Sequence, residues 1–162
     1  MVAPLDTVAA SVQKLQSAGK TVVFTNGCFD ILHSGHIDLL RRARALGDAL
    51  VVAINSDSSI ARIKGSNRPI VPQHERAELL DGLEVVDFVS WFEDDTPLQA
   101  ILTIHPDVLV KGADWTDNIV GQREVEGWGG KVLSLPLIEG SSTTGIVERV
   151  LARYGNTRKT NS

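Results

Sequence analysis

The chain is poor in several residue classes, and each shortage narrows the possibilities. It has one cysteine among 162 residues, so no internal disulfide can form, and a reducing cytoplasm is the expected compartment. It has no long apolar run. The stretch ALVVAI at 49–54 falls far short of the roughly 20 residues that cross a bilayer, so no membrane association is expected. The opening MVAPLDTVAA has no basic segment leading into an apolar one, and no secretory signal is read there. Positive charge is not in excess: 16 Lys and Arg against 20 Asp and Glu give a net charge of -4 and a pI near 5.5. That argues against a general nucleic-acid binder, although a local basic pocket for a small anion remains compatible with it. No internal repeat is found.

What is present suits an ordinary globular domain, with 43% hydrophobic and 22% charged residues. The length favours a single domain over 1–154, with the polar GNTRKTNS at 155–162 as a disordered tail. Apolar spacing predicts helices over 5–20, 35–48, 72–83, 96–106, 118–130 and 141–155. Pro72 is expected at a first helical position, and Thr96 as a cap before Pro97. Short apolar or β-branched runs predict strands over 21–25, 49–56, 85–91, 107–112 and 131–137. The basic stretch 57–69 reads as partly helical at best. Five strands alternating with helices predict an α/β fold, a doubly wound Rossmann-like domain with a five-stranded parallel sheet. Ligands of such sheets bind beyond the carboxyl ends of the strands. The segments NGCFD, NSD, KGADW and IEGSSTTG all fall there and should converge on one crevice.

The densest chemistry lies in TNGCFDILHSGH, Thr25 to His36. A helix starting near Ser34 or Gly35 would point its dipole and N–H groups at an anion. His33 and His36 could then donate to a polyphosphate, with Gly35 allowing close backbone approach. The same spacing also admits a plain helix start, or a zinc site completed by Cys28, Asp30 or His74. Cys28 reads as a small filler rather than a nucleophile. Lys64, with Arg62 and Arg68, lies in a basic loop able to close over phosphates. Arg76 suits bidentate phosphate binding or an exposed pairing with Glu75 or Glu78. Ser142, Thr143 and Thr144 crowd a helix start, where hydroxyls serve as caps, as phosphate ligands, or as both. No carboxylate cluster marks a metal site.

TNGCFDILHSGHIDLLRRARALGD resembles the opening of the HxGH nucleotidylyltransferase superfamily, in its cytidylyltransferase-like branch. Further along, FEDDTPLQAILTIHPDVLVKGADW and EGSSTTGIVERV resemble the adenylyltransferase domains of bifunctional heptose enzymes, and the likeness spans about residues 20–153. Chains of that family make ADP-heptose for the lipopolysaccharide core. The resemblance implies transfer of AMP from ATP to D-glycero-β-D-manno-heptose 1-phosphate, with Mg²⁺ carried mainly by the ATP phosphates, in a homodimer without its sugar-kinase half. It implies catalytic roles for His33, His36, Lys64 and Arg76. Nucleotide contacts would come from Thr25, Asn26, Gly27, Cys28, Phe29, Gly35, Lys111, Gly112, Asp114, Ser142, Thr143 and Thr144. Asp30, Asn55 and Asp57 would serve the sugar phosphate, and Asp30 would also orient its loop. Trp115 would stack or simply pack. The rival within the class is a glycerol-phosphate cytidylyltransferase. Relatives of that kind carry an arginine before the glutamate–glycine pair, where this chain has Leu137 and Ile138. The rival outside it is a non-catalytic nucleotide-binding module.

Overall fold

The computed structural model describes residues 1–112, 119–136, 140 and 142–155. The elements run α1 (Leu5–Ser17), β1 (Val22–Gly27), α2 (Ser34–Arg44), β2 (Ala49–Asn55), α3 (Asp57–Lys64), α4 (Gln73–Asp81), β3 (Phe88–Phe92), α5 (Leu98–Ile104), β4 (Val108–Gly112), α6 (Gln122–Gly127), β5 (Lys131–Leu135) and α7 (Thr143–Tyr154). All strand pairs are parallel, in the order β3-β2-β1-β4-β5. The order therefore reverses at β1 and β4, which places the crevice of a doubly wound sheet above those two strands.

Alternation along each strand explains the layers. Val23, Leu50, Val52, Ile54, Val89, Val108 and Val110 face α2 and α4, meeting Leu39, Leu40, Ala43, Ala77 and Leu80. Their neighbours Val22, Phe24, Val51, Ala53 and Leu109 face the other way, meeting Val8 and Val12 of α1, Ala100, Ile101 and Ile104 of α5, and Val125 of α6. A strand buried on both faces has no polar side to alternate with, which is why ALVVAIN reads as a continuous apolar run. Burial of so many Val, Leu and Ile side chains, at about 1.5–3 kcal/mol each, is the main term holding the layers together.

The sheet and its five strands are as expected, and several boundaries differ. β1 continues through Asn26 and Gly27, because both pair with β2, opposite Ala53 and Ile54. The stretch after β2 forms a regular helix, α3. Ser56 caps it by accepting the Ser59 N–H at 3.1 Å, a local signal that outweighs its polar composition. Pro72 and Pro97 each stand at the N-cap rather than inside the first turn, and Thr96 makes no cap. Asp114, Trp115, Leu137, Ile138 and the tail 156–162 lie outside the described residues.

Gly121 shows how tightly α6 docks. Its φ is +85°, and a Cβ there would sit 2.6 Å from Ile101 Cδ1. Gly121→Ala combines left-handed strain with overpacking of a buried side chain, and should destabilise the fold by about 2–4 kcal/mol. Urea unfolding would check this.

Candidate active site

The site is built on the crest of β1. The Thr25 hydroxyl donates to the Val110 carbonyl at 3.0 Å, stitching β1 to β4 where the strand order reverses. Beyond Gly27 the chain turns sharply, with Phe29 at φ +46°. The Phe29 ring folds back so closely that a Cβ on Gly27 would lie 3.1 Å from it, so any larger residue there would have to shift the ring. Phe29 is buried, and its ring tilts against His36 with centroids 5.0 Å apart. His33 is the N-cap of α2, in extended backbone, and its side chain makes no capping bond. It stacks on His36 at 3.8 Å and 22°. The two histidines expected to act together are therefore brought together, at the positive end of a helix dipole.

Their electrostatics follow from this packing. Burial, then the positive charges of His33 and Lys64, push His36 down to about 4. Burial also lowers His33. Both rings are therefore neutral near pH 7, each with one N–H donor. The Nδ1 atoms of both are buried without a protein partner. Buried polar atoms are nearly always bonded, and this exception sits at a helix N-terminus. Lys64, exposed at the end of α3, is near enough to depress His36. Of the basic residues expected to cover phosphates, Arg62 is paired with Asp95 at 2.7 Å and Arg68 with Asp30 at 2.6 Å. Lys64 alone of the three has no carboxylate partner among the described residues.

Arg76 differs from both sequence expectations. It is wholly buried, not an exposed helix residue. Its guanidinium donates to the carbonyls of Val71 (3.0 Å), Cys28 (2.6 Å) and Asn55 (2.9 Å) and to Asp57 Oδ1 (2.7 Å). With four bonds to protein oxygens, its part is to position the loops rather than to grip phosphate. Asn55 and Asp57, expected on the sugar phosphate, are tied into the same network. Asn55 is buried and donates through Nδ2 to Ser59 Oγ, and Asp57 Oδ2 accepts the Gln73 N–H at 3.1 Å. Asp30 is likewise engaged: its carboxylate accepts from Arg68 Nε and from the N–H groups of Ile70 (2.9 Å) and Val71 (2.8 Å). Burial would raise its pKa, but the Val71, Ile70 and Arg68 bonds outweigh it and hold the carboxyl below the usual range. The loop-orienting part fits this geometry, while the substrate-binding part does not, because these oxygens already face protein donors.

The remaining positions divide. Cys28 is half-buried, with Sγ 3.9 Å from Asn55 Oδ1, as suits a filler. Ser142 caps α7 by accepting the Gly145 N–H at 3.0 Å, and Thr143 and Thr144 open that helix. Lys111 and Gly112 end β4, and the Lys111 ammonium donates to Asn26 Oδ1. The sequence places Lys111 among the nucleotide contacts, and this bridge between side chains is seen only in the structure. The strand register that pairs Thr25 with Val110 was the available clue. Among the described residues, no group of three His, Cys, Asp or Glu side chains is placed to hold a metal ion, and no helix is long and apolar enough to cross a membrane.

The cytidylyltransferase-like family model matches residues 24–149, and the chain belongs to that family. It is 54% identical over 137 residues to the bifunctional protein HldE of Syntrophotalea carbinolica, covering 84% of this chain and 28% of that one. It is 49% identical over 152 residues to HldE of Geobacter sulfurreducens, covering 93% and 31%. The chain thus spans under a third of the length of these relatives. Among solved structures it resembles the lipopolysaccharide core biosynthesis protein from Thermoplasma volcanium, with a TM-score of 0.61, 30% identity, and coverage of 76% of this chain and 100% of that one. The pantothenate synthetase from Thermus thermophilus shares the fold, with a TM-score of 0.59 at 18% identity, 94% of this chain and 72% of that one being covered.

Arg76→Met removes the donors of three main-chain carbonyls. At about 1–3 kcal/mol for each buried acceptor left unpaired, the loss should reach about 3 kcal/mol or more. Asp57→Asn keeps one acceptor and turns the other oxygen into a donor facing Arg76 or the Gln73 N–H, so it should cost about 1–3 kcal/mol, less than the loss of Arg76. Parallel urea unfolding of the two variants would test this ranking.

Proposed function

We propose that the chain transfers AMP from ATP to a sugar 1-phosphate, D-glycero-β-D-manno-heptose 1-phosphate, giving ADP-heptose and pyrophosphate. The observation that carries this reading is the stacked, neutral His33–His36 pair at the start of α2, with its buried and unpartnered ring nitrogens. Identity of 49–54% with HldE proteins over 84–93% of the chain supports the heptose branch. Likeness to the lipopolysaccharide core biosynthesis protein of Thermoplasma volcanium supports a use in lipopolysaccharide core synthesis.

In the reaction, an oxygen of the sugar phosphate attacks the α-phosphorus of ATP. The new P–O bond forms as the bond from the α-phosphorus to the bridging oxygen breaks, and pyrophosphate leaves with that electron pair. An already ionised phosphate oxygen needs no strong base, so in-line positioning and charge stabilisation dominate. His33 and His36 donate hydrogen bonds to the growing charge, helped by the α2 dipole. Lys64 offers a mobile positive charge over the leaving group. Arg76 and Asp30 hold the loops that aim these groups. Ser142, Thr143 and Thr144 supply hydroxyls, and Asp114 a carboxylate, to the nucleotide. Mg²⁺ enters as part of the substrate, bound mainly by ATP phosphate oxygens. The same reading places the reaction in the cytoplasm and the chain in a homodimer. Val150, Leu151 and Tyr154, exposed on α7, support burial against a second copy.

The deciding experiment is pyrophosphate release with Mg²⁺, crossing ATP, CTP, GTP and UTP with heptose 1-phosphate and glycerol 3-phosphate. Release confined to ATP with the heptose phosphate is expected. Release with CTP and glycerol phosphate would overturn the substrate, and no release from a folded, nucleotide-binding protein would overturn the enzyme.

His36→Ala should lower kcat about 10²–10³-fold, the usual effect of losing one transition-state donor, with the thermal midpoint nearly unchanged. Because the pKa of His36 is lowered to about 4, the free enzyme keeps it neutral from pH 6 to 8. The pH profile of kcat/KM should therefore show no step from His36 in that window.

A further inference from the structure

One half-buried cation at the end of β4 has no part in the scheme above. Lys111 follows Val110, whose carbonyl takes the Thr25 hydroxyl, and its ammonium reaches from β4 to Asn26 Oδ1 on β1. β1 and β4 are the strands between which the order reverses. A lysine is therefore fixed across the place where a doubly wound sheet receives its ligand.

Its surroundings hold no counter-charge among the described residues. On β1 the partner is a neutral amide, with Cys28 the next titratable group. Alternation along β4 puts Lys111 on the face of Leu109, towards α6, whose Glu124 and Glu126 form no ion pair with it, while His33 and His36, on the α2 side, are both neutral near pH 7. On β5, Ser134 and Leu135 stand opposite Lys111 and Gly112, and the charged Lys131 is at the far end of the strand. Burial is the sole cause that moves the lysine, down to about 8. An ammonium has three donors, and one amide oxygen satisfies one of them. A half-buried ammonium held in this way is favoured by an anion beside it.

We propose that the Lys111 side chain is a phosphate receptor of this crevice, releasing or sharing its Asn26 bond to take an oxyanion of the bound nucleotide or sugar phosphate. The proposal rests on the reading of the site as a phosphate-transfer centre and adds to it a specific cation. The bound anion favours the charged amine, so its pKa rises on binding. Near pH 8 the complex then takes up a proton from solvent. Well below pH 8 the amine is already charged, so uptake vanishes. Above pH 8 uptake grows and affinity falls.

Titration calorimetry at pH 8, in buffers of differing ionisation enthalpy, reads this directly. The probes are Mg²⁺-pyrophosphate, Mg²⁺-α,β-methylene-ATP and heptose 1-phosphate. With a pKa of about 8, uptake of about half a proton per site is expected, and the probe that elicits it identifies the phosphate bound. Lys111→Arg keeps the charge without the titration, and should bind that probe within a few-fold while losing the uptake. Lys111→Met should weaken it about 10–100-fold, as expected for a lost charged hydrogen bond. Uptake that persists in Lys111→Arg, or Lys111→Met binding all three probes like the parent, would overturn the proposal. Lysine-dependent uptake with pyrophosphate or nucleotide, but no binding of heptose phosphate, would leave Lys111 in place and overturn the sugar assignment instead. Heptose phosphate turned over normally by both variants, with no lysine-dependent uptake, would do the reverse.

Discussion

The crest of the sheet depends on one buried guanidinium. Arg76 gathers carbonyl oxygens from the loop after β1, the end of β2 and the segment before α4, and adds a carboxylate from the start of α3. Taking an arginine wholly out of water is costly, and only several well-aimed acceptors offset it. Lysine could not replace it, because a single nitrogen on a flexible stem cannot hold acceptors in a fixed planar fork. The arrangement converts an electrostatic need into geometry. The Cys28 carbonyl is fixed, so the Phe29 turn is fixed, and with it the ring against which His36 packs.

Asp30 works as the counterpart from the same loop. It is buried beside that turn and binds two successive main-chain N–H groups and Arg68. Arg76 thus satisfies carbonyls, while Asp30 satisfies amides, of the segment that leads into α4. Between them they tie the β1 loop to this segment from both ends of its backbone dipoles. Opposite charges buried on neighbouring residues of one scaffold need their partners in register, so the loops are held in a single arrangement. Such rigidity is what positioning-based phosphate chemistry requires.

The sequence displayed the layers plainly and the wiring poorly. Continuous apolar runs such as ALVVAIN could only be doubly covered strands, and the carboxyl-end placement of NGCFD and KGADW followed from strand polarity. The histidine pair was legible because its spacing and glycine fall at a helix start. Arg76, Asn55 and Asp57 were not legible in the same way. A charged or amide side chain looks alike in sequence whether its partner is a ligand or a main-chain carbonyl of another element. Only the fold brings Val71, Cys28 and Asn55 within reach of one arginine. Helix α3 was missed for a related reason: its polar residues hid a Ser56 cap whose bond to Ser59 is local but needs the turn after β2 to form.

The division of charge in the crevice then makes physical sense. Under the proposed function two neutral imidazoles face the reacting phosphorus, and the charge is carried by Lys64, near enough to depress His36, and by Lys111 at the end of β4. A pair of cationic rings 3.8 Å apart would repel each other and grip a resting polyphosphate tightly. Strong ground-state binding of that kind lowers KM without raising kcat. Neutral donors bind the resting triphosphate modestly and gain strength only as negative charge grows on the oxygens they face. The low dielectric that depresses the histidine pKa values also magnifies that gain. Under the proposed function, burial of His33 and His36 is therefore part of how the site would discriminate between ground state and transition state.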